Sequence, residues 1–395
     1  MALVFTYYDL LKKLRPFVVE LAEQDALTLQ SYWPPINSIH SVDDYKSQFD
    51  ACVAKLDEVL FAHLIKSTGL SLTQLHSQAL DQLRAGFASM YLTVTQEYHC
   101  VVNFALAGQK AFHFSDHLTE HLAHTEINTM APCIQLPFTT CLFTFTSPVM
   151  INAMQQIYHA SSTKATVDQA APISVFLTLH QATDGLPGRK LVINAWHAKA
   201  PHHVYSMQKR ELYIPDHWTL EQALRTDWET LTPQNEGMGL AFTGASVCAQ
   251  DDDAFYTDGL LFYRIVLNAI LYISSAQAEL TAVLTPRRDM ELKAQSIASP
   301  VKRRKVLKTA QQLTTLAYQE VGGSVRPIVI KQPGLSGVGE YSGKRAKSMF
   351  RFMVRGHWRQ QAHGPDRQER KLIWIQPFYK GEELADTINK PYLVQ

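Results

Sequence analysis

Residues 349–380 read MFRFMVRGHWRQQAHGPDRQERKLIWIQPFYK, and their alternation decides how the C-terminal quarter folds. Phe350, Phe352, Val354 and Trp358 fall on one side of an extended chain, with Arg351, Arg355, His357 and Arg359 on the other. A β-strand sends successive side chains to opposite faces, so this is strand patterning. Gly364-Pro365-Asp366 supplies turn chemistry. The return segment, Lys371 to Gln376, places Leu372 and Trp374 on one face and Ile373 and Ile375 on the other. The expected product is a β-hairpin with an aromatic inner face and an outer stripe of guanidinium groups. Guanidiniums two residues apart stand about 6–7 Å apart along a strand, which suits successive phosphates or carboxylates. Two readings stay open here. The aromatics are either core or stacking platforms for unpaired bases, and the arginines meet either an anionic ligand or acidic groups elsewhere in the chain.

Working outward, Gln332–Lys347 is rich in Gly, Ser and Lys and reads as a mobile loop. The most apolar helix of the chain is expected from about Thr257 to Leu284, ending at Thr285-Pro286. Its core, Gly259–Ala276, carries Arg264 and Asn268. A charge at mid-bilayer costs about 2.5–3.5 kcal/mol, so a buried helix is expected rather than a membrane span. Ser299–Lys308 reads as a solvated linker entering a helix that continues through Leu313, Leu316 and Val321 to Gly322-Gly323. Earlier, Cys141–Thr146, Ile173–Leu179 and Lys190–Trp196 are short β-branched and aromatic runs with strand character. Thr183–Gly188 suits a hairpin loop between the last two. A helix is expected at Leu220–Trp228. The first 125 residues show helical spacing, restarted at Pro16 and closed once at Gly69. The fold class is α+β: a helical N-terminal region (1–128), a mixed antiparallel-sheet middle domain (129–256), and a C-terminal part (257–395) with the apolar helix, the loop near 332–347 and the basic hairpin.

The net charge of +1 conceals a segregation. Residues 1–285 hold 16 Lys and Arg against 27 Asp and Glu, while 286–395 hold 21 against 9. The C-terminal part either meets an anionic partner or docks on the acidic part. Five cysteines at 52, 100, 133, 141 and 248 contain no Cys-x-x-Cys pair and read as reduced thiols of a cytoplasmic protein. The N-terminal MALVFTYYDLLKKLRPF has neither a basic n-region nor a small-residue cleavage site, so no signal peptide is expected.

Several motifs together resemble the type V-A anti-CRISPR family, carried by phages and plasmids. They are Lys344-Arg345-Ala346-Lys347, Arg355-Gly356-His357-Trp358, Gly364-Pro365, Arg370–Ile375 and Gln376-Pro377. Leu267–Ser275 looks like the family's apolar helix, Tyr318–Arg326 like its second helix, and Ile173–Leu179 like a middle-domain strand. The resemblance is specific over about 260–380 and does not extend to the N-terminal helices. It implies a non-enzymatic partner of a host CRISPR nuclease, one that recognises the nascent N-terminal peptide and lowers production of the nuclease in the bacterial cytoplasm. Contact with the ribosome or RNA is part of that expectation, and no cofactor is implied. The expected binding residues are Arg351, Arg355, His357, Trp358, Arg359 and Trp374. The alternative is a nucleic-acid-binding phage or plasmid protein that uses the basic hairpin.

Other constellations fit ordinary structural roles better than a site. His113, His117 and His121 would share a face of one helix and could ligate a metal, but no fourth ligand is fixed by spacing. His197, His202 and His203 surround Pro201 in an expected loop, with no nucleophile or carboxylate tied to them. Asp251-Asp252-Asp253 lacks the spacing of a calcium loop, and Gly334–Gly339 lacks the Lys-Ser/Thr of a phosphate loop.

Overall fold

The structure is a computed structural model. It describes residues 6–30, 42–69, 81–160, 166–181, 187–200, 204–234, 260–283, 285–310, 316–328, 330–331 and 352–380. In chain order the first elements are α1 (Tyr7–Leu14), α2 (Pro16–Leu29), α3 (Val42–Thr68), α4 (Asp81–Leu106), β1 (Ala111–Phe114) and α5 (Asp116–Ala123). There follow β2 (Thr140–Phe145), α6 (Pro148–Ala160), β3 (Thr166–Val167), β4 (Ile173–Gln181), β5 (Gly188–Ala200), β6 (Val204–Pro215), α7 (Leu220–Gln234) and α8 (Leu260–Ser274). The remainder is β7 (Leu280–Val283), α9 (Pro286–Gln295), α10 (Pro300–Ala310), β8 (Tyr318–Val321), β9 (Ile330–Lys331), β10 (Phe352–Val354), β11 (His357–His363), β12 (Glu369–Ile375) and β13 (Phe378–Lys380). The fold is α+β.

The chain forms two compact units, each assembled from separated stretches. The first comprises Met1–Ala111, Thr140–Leu142 and Leu284–Ala317; the second comprises Phe112–Thr139, Phe143–Val283 and Tyr318–Gln395. In the first, Thr6 caps α1 through a reciprocal box with Asp9, and Pro16 stands at the first turn of α2, where its missing N–H costs nothing. Helix α2 packs on α4 and α3. Buried carboxylates tie these helices together. Glu97 accepts from Tyr7 Oη at 2.6 Å and from the Arg15 guanidinium, and Asp25 accepts from Tyr98 Oη at 2.7 Å and from Lys55. Desolvation raises Glu97 above the ordinary carboxylate range, and Arg15 and Tyr7 work against that rise.

The second unit is built on an eight-stranded sheet in the order β3-β5-β4-β2-β1-β8-β7, with β6 also on β5. Strands β4, β5 and β6 are consecutive antiparallel neighbours, as expected for 173–179 and 190–196. Phe112, Phe114, Phe143 and Phe145 pack edge to face or stacked on the two central strands. Helix α8 packs on α5 and α6, and every residue from Phe262 to Ile273 is buried. That helix is buried on all faces, and among the described residues no helix is long and apolar enough to cross a membrane.

Several expectations are corrected. The apolar helix ends at Ser274, not Leu284, where Ser274 Oγ donates back to the Ile270 carbonyl, and Leu280–Val283 is a strand paired with β8. Tyr318–Val321 is therefore strand, not helix, because its backbone is recruited by β7. The Lys302–Lys305 run lies within α10, which starts at Pro300, rather than in a linker. His197 sits in β5, fully buried, not in a loop. The loop at 332–347, the acidic triplet 251–253, residues 334–339, His202 and His203 lie outside the described residues.

Candidate functional site

The hairpin expected from residues 349–380 is present as β11 and β12, but its first strand is interrupted. Phe352–Val354 pairs instead with Phe378–Lys380, and the chain re-enters the hairpin at His357. The break is at Gly356, whose backbone bridges Thr125: Gly356 N donates to His124 O at 2.9 Å, and Glu126 N donates to Gly356 O at 2.8 Å. A Cβ at this position would lie 2.6 Å from Thr125 Oγ1, 2.8 Å from Pro377 Cδ and 2.9 Å from Ile375 O. At the far end, Gly364, Asp366 and Arg367 all adopt positive φ to turn the chain. His363 Nε2 lies 3.2 Å from Glu369 Oε2 across that turn.

Trp358 and Trp374 are directly opposed in the register, with rings stacked at 6.1 Å and 24°. Both are buried. Trp358 Nε1 donates to Asn268 Oδ1 at 2.7 Å, and Trp374 Nε1 donates to Thr125 Oγ1 at 3.1 Å. Tyr272 and His121 meet Trp374 edge on. The two indoles thus hold the hairpin against α8 and the end of α5.

That end is densely capped. Asn268 Nδ2 donates to Leu122 O at 2.9 Å and Thr125 O at 2.8 Å, and Arg264 Nη2 donates to Thr125 O at 3.2 Å. A guanidinium and an amide directed at the last carbonyls of α5 satisfy its unpaired acceptors and its negative dipole end. The buried polar pair Arg264 and Asn268, four residues apart in an otherwise apolar helix, therefore has a defined task.

His121 Nε2 donates to Arg326 O at 2.9 Å, since a carbonyl only accepts. That fixes the tautomer and leaves Nδ1 as a buried acceptor with no hydrogen-bond partner among the described residues. Burial lowers the pKa of His121 and His124, and at His124 the charges of Arg264 and Arg355 add to it while Glu120 opposes. Burial lowers His113 and His180 as well. The unfolded chain takes up protons at the ordinary imidazole value near 6.5 while these folded rings resist, so their stabilising effect is present above that pH and lost below it. The urea midpoint of the full chain is expected to fall between pH 7.5 and 5.5; a flat midpoint would mean the rings do not stay neutral on folding.

The three histidines of the proposed metal face are not brought together. His113 belongs to β1 and donates through Nδ1 to Thr144 O at 3.2 Å, Ser115 caps α5 after it, His117 is exposed and His121 is buried. No group of three or more His, Cys, Asp or Glu that could hold a metal occurs among the described residues. Of the expected binding residues, His357 and Arg359 are exposed and Arg359 reaches Gln361, Arg355 is half-buried near His124, and Arg351 lies outside the described residues.

Two clefts flank the hairpin within the second unit. One, about 380 Å³, is lined by His121, Tyr272, Glu279, Val325, Arg326 and Phe378, among others. Glu279 receives Ser324 N and Oγ there, so a carboxylate shares the cleft with aromatic and proline faces. The other, about 470 Å³, includes Cys133, Gln360, Arg370 and Lys371, with Gln360 Nε2 on Cys133 Sγ at 2.8 Å. Sequence reading missed both, because their walls come from three or more separate segments, spread from His121 to Phe378 in one and from Pro132 to Leu372 in the other.

The hairpin, its buried tryptophans and both clefts lie in a stretch that defines a class of CRISPR inhibitors. The family model for the AcrVA2-like proteins, the anti-CRISPR type V subtype A2 family, matches residues 112–379, and the chain belongs to that family. The match starts at β1, so helices α1–α4 stand outside it. No curated protein and no solved structure matches the chain.

Proposed function

We propose that this chain lowers production of a type V CRISPR nuclease by binding a segment of that nuclease, its nascent N-terminal peptide, in the 380 Å³ cleft beside the hairpin. Family membership supports the choice of target. The observation that carries the reading is the cleft itself, which lies wholly inside the family-matched residues. It combines apolar walls (Tyr272, Val325, Phe378) with the Glu279 carboxylate as an acceptor for peptide N–H or ammonium groups. The protein acts by binding, without catalysis of its own.

The test is fluorescence anisotropy of a labelled N-terminal nuclease peptide with the full chain, beside immunoblots of nuclease in cells that express the inhibitor. Val325→Trp fills the cleft from its half-buried rim and is expected to weaken peptide binding at least tenfold and restore nuclease levels. Undiminished binding by that variant removes the cleft from the mechanism. No binding by the unaltered chain, with nuclease levels unchanged, removes the target.

A further inference from the structure

A second exposed basic surface lies away from the hairpin. Helix α10 reads PVKRRKVLKTA, and Val301, Lys302, Arg303, Arg304 and Lys305 are all exposed, Val301 at 80%. Successive helical residues are rotated by about 100°, so five exposed in a row cover every direction around the axis. The first turns of α10 therefore project into solvent, with cations on all sides. Lys308 extends the set by one more turn, about 9 Å along the axis from Lys302.

The neighbouring helix is different. On α9, Arg287 and Arg288 pair with Glu291, and Lys293 pairs with Asp289. No carboxylate occurs between Glu291 and Glu320 in the sequence, and among the described residues no ion pair engages Lys302, Arg303, Arg304, Lys305 or Lys308. Lys302 and Arg303 also stand in the first turn, at the positive end of the helix macrodipole, where a cation is unfavourable rather than helpful. A sequence that breaks the local electrostatic rule this consistently points to a compensating anion outside the chain.

We infer that the protruding basic turns of α10 are an RNA-binding element that grips the phosphates lining both walls of a groove. Cations on one flat face would suit an acidic protein patch, whereas cations on every side suit insertion between two phosphate strands. The mixture of Lys and Arg, with no acidic neighbour, neutralises backbone rather than reading bases. RNA rather than DNA rests on the proposed function, in which the protein acts where the nuclease is being translated. The element places the protein on RNA, and the cleft selects the peptide.

The experiment measures binding of the full chain to a labelled RNA hairpin and to a DNA duplex of the same sequence, from 50 to 200 mM salt. The quadruple variant Lys302→Glu, Arg303→Glu, Arg304→Glu and Lys305→Glu is expected to lose RNA affinity at least a hundredfold. Its slope of log affinity against log salt is expected to flatten by about 3, one counterion-releasing contact per residue. Because acidic groups suit a helix N-terminus, its unfolding midpoint is expected to hold or rise. The hairpin variant Arg359→Gln with Arg370→Gln is expected to keep RNA affinity within twofold. Loss of RNA binding in the hairpin variant but not in the helix variant overturns the inference, as does equal or tighter binding of the DNA, or no RNA binding at all. Anisotropy with the nuclease peptide, repeated on the quadruple variant, separates the two readings. Retained peptide affinity with lost RNA affinity supports α10 as the RNA element, and a peptide that never binds overturns the cleft while leaving the RNA result standing.

Discussion

Replacing Asn268 by alanine is expected to destabilise the second unit by about 3 kcal/mol, read as a drop in the urea midpoint at unchanged slope. One side chain serves three partners: its Oδ1 accepts from Trp358 Nε1, and its Nδ2 donates to the carbonyls of Leu122 and Thr125. The carbonyls keep other donors, Thr125 N for Leu122 and Arg264 for Thr125, so they lose strength rather than all partners. The indole N–H does not. Left without an acceptor in a buried position, it alone accounts for about 1–3 kcal/mol, with a small cavity in addition. Trp358→Phe removes that N–H from the other side. A double-mutant cycle over Asn268→Ala and Trp358→Phe should therefore show about 1 kcal/mol or more of coupling. Strict additivity would mean that the indole and the amide act independently.

Gly356→Ala is the second large effect, expected at about 2–3 kcal/mol. The new methyl would meet Thr125 Oγ1, Pro377 Cδ and Ile375 O, all closer than 3.0 Å. Ile375 O is backbone held by the β11–β12 ladder, so the strain falls on the Thr125 bridge. Pulling Gly356 away from His124 and Glu126 also moves Pro377 and Phe378, which line the smaller cleft. The substitution should thus lower the unfolding midpoint and weaken peptide affinity together. A stable protein with unchanged affinity would show that the hairpin's attachment does not shape the cleft.

Much of the architecture was legible because it rests on local pattern. Pro16 restarts a helix, the runs at 141, 173 and 190 are strands, and the apolar run from Leu260 is a buried helix, each for reasons contained within a dozen residues. What failed depended on distant partners. Tyr318–Val321 reads as the end of a helix in sequence but pairs with Leu280–Val283. His113 is removed from its expected helix by the Ser115 cap, which turns the chain from strand to helix between His113 and His117. The period-two pattern at 350–359 runs straight through Gly356, since nothing local announces that Thr125, 231 positions earlier, occupies the space of a side chain. One signal was available. An arginine and an asparagine one turn apart in the most apolar helix imply buried acceptors nearby, and the carbonyls at the end of α5 are those acceptors.

The interleaving of the two units has a consequence for how the protein is made. The first unit needs residues 284–317 beside the N-terminal helices, and the second needs residues beyond 318 to add β8 and the hairpin. A ribosome delivers residues in order, so α1–α4 emerge long before the stretch that completes their unit, and the sheet waits for its last strands. Neither unit can close as an early, self-contained folding event. The first unit is finished only when residue 317 has been made and the second only when the hairpin follows, so a transcript cut short before residue 284 yields two incomplete cores, and one cut between the two units' last segments leaves the second without its final strands.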